Sequence, residues 1–300
     1  MGSPCEVQVF AADEAIASRA IDAAVADVDR LERLYSRYRD DSLLSSINRI
    51  AAVGGSIAVD AETAGLLDYA GTCYRQSDGL FDITSGLLRK AWDFRSGTLP
   101  DRARVEPLLA KVGWEKVRWE SPVLTFPVAG MEIDFGGVVK EYAADRAASV
   151  CRALGATGGM VNLGGDIAIV GPRPDGDAWR VGLQHPRSRE QLIGMLDLDR
   201  GGLASSGDYE RCIVVDGVRY GHVLNPRTGW PGRYLASVSV VADHCVVAGS
   251  ASTIAMLKDE EGPAWLQTLR LAHLWVNVQG ETGGSLAPRH DAGTGVARKR

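Results

Sequence analysis

The sequence predicts an α+β fold in which antiparallel strands pack against a few long helices. Segments with apolar residues at every third or fourth position alternate with short runs of strand-forming residues. Several of these runs are separated by only a few turn residues, as in antiparallel hairpins, and not by the helix that a parallel crossover requires. Neither the GxGxxG nor the GxxxxGK[ST] fingerprint occurs at a strand-to-helix junction. A doubly wound nucleotide-binding sheet is therefore not indicated.

Helical periodicity is clearest between residues 13 and 38. A second helix is predicted to begin at Asp60, and further helices fit residues 140–154 and 246–257.

Strands are predicted where β-branched and aromatic residues occur in short runs bounded by turn residues. The predicted strands are 116–119, 123–126, 131–135, 160–170, 179–183, 195–198 and 236–242. Residues 212–220 (CIVVDGVRY) predict a hairpin, because an Asp-Gly pair between two apolar runs is a strong turn signal.

The length of 300 residues and the absence of a linker before about residue 280 predict one domain over 1–280. Residues 281–300 are rich in Gly, Ala and Arg without periodicity, so a disordered tail is predicted there. No stretch approaches 18 apolar residues, and MGSPCEVQVF enters a strand-like pattern without a signal peptide. We expect a cytoplasmic protein, or a periplasmic one if a leader was removed.

Composition narrows the classes of function. The net charge of −5 lacks the basic footprint of nucleic-acid binders, so no nucleic-acid partner is expected. Glycine is unusual, with 35 residues, about 12% against a usual share of about 7%. Glycines beside polar residues suggest places where the backbone approaches a ligand closely.

Four polar clusters interrupt the apolar pattern. They are DGLFDIT (78–84) with WDF (92–94), IDFGG (133–137) with Lys140, NLGGD (162–166), and SSGDYER (205–211) with GHVLNPRTGWP (221–231). Each cluster alone has an ordinary interpretation as turn or helix-cap chemistry. Together they place carboxylates, amides and backbone N–H groups at strand ends, where phosphates and ring edges are commonly bound.

The charged and aromatic residues of these clusters suit a nucleotide. Lys140 and Arg227 supply positive charge for a pyrophosphate, and Phe81, Trp92 and Tyr38 are candidates to flank a planar ring.

The order of the motifs resembles the ApbE family, the FAD:protein FMN transferases. The pieces that carry the resemblance are MGSPCEV near the start, LYSRYRDDSLLSSIN (34–48), DGLFDITSGLLRKAWDF (78–94), MEIDFGGVVKEYAADRAA (131–148), VNLGGDIAIVG (161–171), SSGDYER and HVLNPRTGWP. The resemblance covers about residues 1–260. It implies a T-fold-like domain of antiparallel sheets with packed helices.

The resemblance also implies an activity. FAD is the substrate, Mg²⁺ assists cleavage of its pyrophosphate, and FMN passes through a phosphoester to a Ser or Thr of an acceptor flavoprotein with release of AMP. Such phosphoryl-type transfer requires positioning and charge neutralisation more than covalent catalysis.

Site residues follow from the resemblance by position. The implied FAD contacts are Met1, Tyr38, Leu80, Phe81, Asp82, Asp134, Lys140, His222 and Arg227. The implied supporting residues or phosphate contacts are Asn48, Asn162, Asp166, Ser206 and Arg227. His222, Asp134 and Thr253 are the implied catalytic residues, and the Gly137 carbonyl with Thr253 are the implied metal ligands. His222 or a nearby carboxylate is expected to accept the proton of the incoming hydroxyl.

One position departs from the family pattern A-D-x-x-x-T. The corresponding stretch is AGSAST (248–253), so Gly249 stands where the family has a metal-binding Asp. Either Asp243, Asp166, Asp134 or another acid substitutes, or metal binding is weakened. Two alternatives to transfer stay open on this ground: a protein that only binds FAD, and a pyrophosphatase that yields FMN and AMP. If Gly249 is helical, Gly249→Asp is expected to tighten Mg²⁺ binding at little cost in stability.

Overall fold

The fold is described by a computed structural model that covers residues 3–287. The α-helices are α1 (Glu14–Tyr35), α2 (Leu43–Val53), α3 (Ala61–Gln76), α4 (Arg102–Leu109), α5 (Val139–Ala153), α6 (Cys245–Lys258) and α7 (Gly262–Leu269). The strands are β1 (Cys5–Phe10), β2 (Gly55–Ala58), β3 (Arg118–Glu120), β4 (Val123–Phe126), β5 (Gly158–Leu163), β6 (Asp166–Gly171), β7 (Trp179–His185), β8 (Ser188–Leu198), β9 (Gly202–Gly207), β10 (Cys212–Val215), β11 (Val218–Gly221), β12 (Leu235–Ala242), β13 (Ala272–Asn277) and β14 (Thr282–Gly283).

A seven-stranded sheet in the order β1-β5-β6-β9-β12-β13-β14 forms the centre of the molecule. Each neighbouring pair is antiparallel. Helices α1, α5 and α6 cover one face. Helix α1 buries Ala20, Ala24, Val28 and Leu31, which lie on one stripe because they recur every three or four residues. This layer contains the largest core of the protein.

The opposite face of the sheet packs against a ribbon made of β7 and β8. Strand β6 is buried on both faces, so Ile167 and Ile169 point away from the helices toward Trp179 and Val181 of the ribbon. The sheet therefore lies between a layer of helices and a two-stranded layer.

A smaller core forms beside the main one. We call it the Trp92 core: it joins a 3₁₀ helix (Ile83–Lys90), α4 and the β10–β11 hairpin. The Trp92 ring lies edge-on to Trp230 at 5.0 Å, and its Nε1 donates a hydrogen bond to the Gly229 carbonyl oxygen at 2.8 Å. The segment 222–231 that follows β11 is thereby attached to this core.

The predicted α+β class is confirmed, as are the four predicted helices. Asp13 and Asp60 cap α1 and α3 by accepting hydrogen bonds from the backbone N–H groups of Ile16 and Thr63. The predicted hairpin is also present, with Asp216 and its following glycine at positive φ.

Two strand predictions were wrong. Residues 160–170 form two strands, since Gly164 and Gly165 adopt φ of 64° and 95° and reverse the chain between β5 and β6. Residues 131–135 form no strand, although Ile133 is fully buried. The side-chain amide of Asn48 donates to the Ile133 carbonyl oxygen and accepts from its N–H, which replaces the partner strand that the pattern predicted.

The beginning of the predicted tail belongs to the sheet. Thr282 and Gly283 form β14 against Val276 and Trp275 of β13. The remainder of the predicted tail, 288–300, lies outside the described residues. Among residues 3–287, no helix combines the length and the apolar character that a membrane span requires.

The junction of α5 and α6 yields a stability prediction. The Asp145 carboxylate of α5 accepts hydrogen bonds from the N–H groups of Cys245 and Val246 at 2.8 and 2.9 Å, and so caps α6 from a neighbouring helix. We expect Asp145→Ala to lower the free energy of unfolding by about 1–2 kcal/mol, since two donors lose their acceptor. Urea denaturation measures this change. Asp29→Ala, at an exposed position in α1, is the control, and an equal loss in both variants would contradict the capping role.

Candidate functional site

The site is built around the loop that leads into α5. The Asp134 N–H donates to the Ile83 carbonyl oxygen at 2.8 Å, and Asp134 Oδ1 accepts from the Gly136 N–H at 2.9 Å. Its Oδ2 pairs with the Arg37 guanidinium. A Cβ at Gly86 would lie 2.5 Å from Asp134 Cβ, so only glycine allows this approach. The structure therefore holds the Asp134 carboxylate by two contacts and its backbone by a third.

Helix α5 presents Lys140 in its first turn. Lys140 Nζ lies 2.6 Å from Asp166 Oδ2, and Asp166 is almost completely buried at the start of β6. Asp166 Oδ1 also accepts from the Ser205 N–H on β9 at 3.3 Å. The negative charge of Asp166 contributes to raising the pKa of Lys140 despite the opposing effect of burial. Lys140 is therefore a fixed positive charge at the end of the sheet.

Glu141, the residue after Lys140, points into the interior between α5 and α6. It is 7% exposed, and its Oε2 has no hydrogen-bond partner among the described residues. Burial, followed by the negative charge of Asp166, raises the pKa of Glu141 to about 8. A Cβ built on Gly249 would lie 2.5 Å from Glu141 Cγ. Glu141 thus fills the space that a side chain at position 249 would need.

This contact corrects the expectation for Gly249→Asp. Gly249 is helical, as expected, and lies in α6. The steric conflict with Glu141 means that the substitution requires Glu141 to move, and a stability loss follows where little was expected.

His222 lies directly after β11, beside the backbone of Arg211. Partial shielding of the ring from water, together with the positive charges of Arg211, Lys140 and Arg37, lowers the pKa of His222 to about 4. The residue nevertheless exposes part of its surface, so a ligand can reach it. At neutral pH the imidazole is uncharged and able to accept a proton or a hydrogen bond.

Arg37, Lys140 and Arg211 surround His222 closely enough for each to act on its pKa. We call these three residues the cation cluster. Lys140 stands out in the sequence, but Arg37 and Arg211 do not, although they lie within LYSRYRDDSLLSSIN and SSGDYER. An isolated Arg has no periodicity or spacing to distinguish it from an ordinary surface residue.

Tyr38 lies beside the cation cluster and is 78% exposed. Arg37 Nη2 donates to its hydroxyl at 3.2 Å, and the guanidinium carbon lies 5.2 Å from the centre of its ring. The Arg37 hydrogen bond lowers the pKa of Tyr38. An exposed ring held by its neighbour is available for stacking on a planar ligand.

Thr253 faces the same end of the sheet from α6. Its Oγ1 lies 3.0 Å from Ser206 Oγ on β9, which also contacts Ser252 Oγ at 2.8 Å. Thr253 follows Gly249 by one helical turn, so both positions look out from one side of α6. The Gly137 carbonyl belongs to the loop that enters α5, where Phe81 packs against the Gly137 backbone.

Other residues predicted for the site have structural partners. The buried Asp82 carboxylate accepts from the N–H groups of Thr84 and Trp114 at 2.8 and 3.0 Å. Asn162 Oδ1 accepts from the Gly165 N–H in the β5–β6 turn. Leu80 and Phe81 are packed against the main core. For Asp82 the side chain acts as a cap, so only the backbone of this segment is free to meet a ligand.

The expectation that Trp92 flanks a planar ring is wrong. Trp92 is buried, with Phe94 stacked on it at 5.4 Å and Trp230 against its edge. Arg227 donates to the Asp78 carbonyl oxygen, and Asp78 Oδ2 pairs with Lys258 Nζ at 2.8 Å, so Arg227 joins two loops to α6. Met1 lies outside the described residues.

Within residues 3–287, no three His, Cys, Asp or Glu side chains are grouped to hold a metal ion. Mg²⁺ does not need such a group, because it is commonly held by one or two carboxylates together with water and substrate phosphates.

The low pKa of His222 predicts a titration. Between its ordinary value of 6.5 and about 4, the folded chain binds fewer protons than the unfolded chain, so the free energy of unfolding decreases as the pH falls through this window. NMR of the ring protons should show His222 neutral down to about pH 4, and Arg211→Gln should raise its pKa. Arg180→Gln, on the exposed ribbon, is the control. A His222 that titrates near 6.5 in the unsubstituted chain would contradict this electrostatic description.

Known proteins resemble this chain in sequence and in fold. A family model described as "ApbE family" matches residues 1–275. A relative from Klebsiella pneumoniae (strain 342), named "FAD:protein FMN transferase", is 32% identical over 248 residues, which cover 81% of this chain and 75% of the relative. The crystal structure of the ApbE protein from Thermotoga maritima is similar with a TM-score of 0.83 at 31% identity, over 93% of each chain. The flavin transferase ApbE from Vibrio cholerae is similar with a TM-score of 0.80 at 26% identity, over 95% of this chain and 94% of that one. The chain belongs to the ApbE family.

Proposed function

We propose that this chain is an FAD:protein FMN transferase. The observation that carries the proposal is the likeness to relatives of that name, at 32% identity over most of both chains. Their names favour transfer over FAD binding alone and over hydrolysis. The site adds chemical support, because its charges suit the two phosphates of a dinucleotide.

The cation cluster provides the binding energy for the pyrophosphate. Arg37 and Lys140 are each held by a carboxylate, Asp134 and Asp166 respectively, so their positions are set before the substrate arrives. Charged donors fixed in this way stabilise phosphate oxygens without reorganisation. Tyr38 offers an exposed ring for the planar part of the substrate.

The transfer balances as follows. An acceptor hydroxyl oxygen forms a bond to the FMN phosphorus, and the bond from this phosphorus to the bridging oxygen breaks. The bridging oxygen leaves with AMP, and the hydroxyl proton passes to His222 or to Asp134. His222 with a pKa of about 4 is a weak base in the free protein, but the phosphate charges of bound FAD oppose the cation cluster and raise its pKa.

The residues at the end of the sheet fit a magnesium ion. The fit rests on the oxygen donors, because the carboxyl groups of Asp166 and Glu141 lie together and Glu141 Oε2 has no protein partner within the described residues. The Gly137 carbonyl and the Thr253 hydroxyl are the further ligands that we propose. When bound, Mg²⁺ would supply positive charge to the phosphate oxygens of FAD.

The acceptor that we propose is a Ser or Thr of a partner flavoprotein, whose hydroxyl must reach the exposed side of His222. We predict that the two proteins meet either in the cytoplasm or in the periplasm.

One assay tests the activity. Purified protein, FAD, Mg²⁺ and a peptide containing the acceptor hydroxyl are incubated together. Mass spectrometry detects FMN addition and chromatography detects AMP. We expect FMN on the peptide and AMP in equal amounts. AMP without modified peptide would indicate hydrolysis, and bound FAD without either product would indicate binding alone.

Affinity for the dinucleotide provides a second prediction. Both phosphates and the planar ring have candidate partners in the site, so we expect FAD to bind at least about tenfold more tightly than FMN. Titration calorimetry of each ligand measures the ratio. Equal dissociation constants for FAD and FMN would argue against a site for the whole dinucleotide.

His222 provides a third prediction. His222→Ala should reduce turnover by about 10²–10⁴, the range for loss of a general base, with an unchanged melting temperature. His244→Ala is the matched control, because His244 is an exposed histidine that makes no side-chain capping bond to α6. Unchanged turnover in His222→Ala would remove this residue from the catalytic group.

A further inference from the structure

Gly249 stands where the family pattern has a metal-binding Asp, so no carboxylate is present at this position. The carboxylate of Glu141, on the neighbouring helix, lies close to it. A Cβ on Gly249 would lie 2.5 Å from Glu141 Cγ, 2.9 Å from Glu141 Cδ and 2.9 Å from Glu141 Oε1. An Asp at 249 would therefore occupy nearly the volume that the Glu141 side chain occupies. The two positions lie on different helices, α6 and α5, which pack against each other.

The Glu141 carboxyl group is buried beside Asp166. Glu141 is 7% exposed and its Oε2 has no hydrogen-bond partner within the described part of the chain. A buried carboxylate oxygen without a partner is costly, and such a group is commonly kept for a ligand.

The surroundings of Glu141 match those of the candidate metal ligands. Thr253 lies one turn after Gly249 on α6, and its hydroxyl contacts Ser206 at 3.0 Å. Asp166, which acts electrostatically on Glu141, accepts from the N–H of Ser205, the residue before Ser206. Glu141, Thr253 and Asp166 therefore converge where α5, α6 and the sheet meet.

The other acids considered from the sequence are less suitable. Asp243 is exposed and precedes α6. Asp134 is paired with Arg37, and Asp166 with Lys140. Within residues 3–287, Glu141 forms no salt bridge, although the charge of Lys140 acts on it.

We propose that Glu141 supplies the magnesium-binding carboxylate of this chain, in the space left by the glycine at position 249. The carboxylate has moved from α6 to α5, and Gly249 is required because any larger residue would collide with Glu141. The inference rests on the proposed function, since FAD and Mg²⁺ are its ligands.

The test measures metal binding directly, with Mn²⁺ as a paramagnetic substitute for Mg²⁺. Binding of Mn²⁺ in the presence of saturating FAD is followed by electron paramagnetic resonance, and FAD binding without metal is followed separately by flavin fluorescence. Glu141→Gln keeps the shape of the side chain and replaces one carboxyl oxygen by an amide nitrogen, which is not a ligand for a hard cation. We expect it to weaken Mn²⁺ binding by at least about tenfold, with FAD affinity without metal unchanged. Glu62→Gln, which removes a partly buried glutamate paired with Arg30, is the matched control.

Moving the carboxylate from position 141 to position 249 provides an independent test. Gly249→Asp alone should lower the melting temperature, because its Cβ meets Glu141. Combined with Glu141→Gly it should recover both the melting temperature and Mn²⁺ affinity to within about threefold of the unsubstituted chain, a residual difference of about 0.7 kcal/mol.

The possible outcomes distinguish a failure of the proposed role of Glu141 from a failure of the proposed function. Normal FAD binding with unchanged Mn²⁺ affinity in Glu141→Gln would overturn the role of Glu141 and leave the proposed function intact. A folded double variant that binds FAD but not Mn²⁺ would overturn the equivalence of the two positions. Failure of the unsubstituted chain to bind FAD would overturn the proposed function and this inference with it.

Discussion

Burial of charge where α5, α6 and the sheet meet is the constraint that organises this protein. Asp166 and Glu141 are both almost completely removed from water, and Lys140 pairs with only one of them. Such a cluster is stable only if the surrounding backbone holds the charges at fixed positions. The neighbouring elements do so through close approaches: the glycine turn places Asp166 at the start of β6, and Gly249 allows α6 to lie against Glu141.

The helices and most strands could be predicted because their buried residues recur with the period of a helix or a strand. Helix α1 and helix α3 begin one residue after the aspartates that the sequence indicates, since a side-chain cap is a local signal. The segment 131–135 was not predictable. Its alternating apolar residues are buried as a strand's would be, but Asn48, more than eighty residues earlier, supplies the hydrogen bonds of a partner strand. A pattern within five residues contains no information about such a distant amide.

Part of the candidate site could also be predicted, because some of its residues give a local signal in the sequence. Asp134, Lys140 and His222 stand out in sequence because polar residues beside glycines are unusual at strand ends. Arg37 and Arg211 do not stand out, and only the fold shows that their charges act on His222. Glu141 was hidden by its position after a motif lysine inside a helix. Its relation to Gly249 exists only in space, across more than a hundred residues of chain. Trp92 was predicted to lie beside the ligand but is a core residue. An aromatic residue within a motif can serve either purpose, and the sequence does not distinguish them.

The attachment of the segment 222–231 to the Trp92 core has a mechanical consequence. His222 is tethered to a small core through the hydrogen bond from Trp92 to Gly229, whereas Lys140 and Thr253 belong to elements of the main core. The same segment also reaches the main core, because Val223 packs against it and Arg227 links the Asp78 loop to α6. His222 is therefore anchored to both cores at once. Its distance from Lys140 thus depends on the packing of the small core as well as on that of the large one.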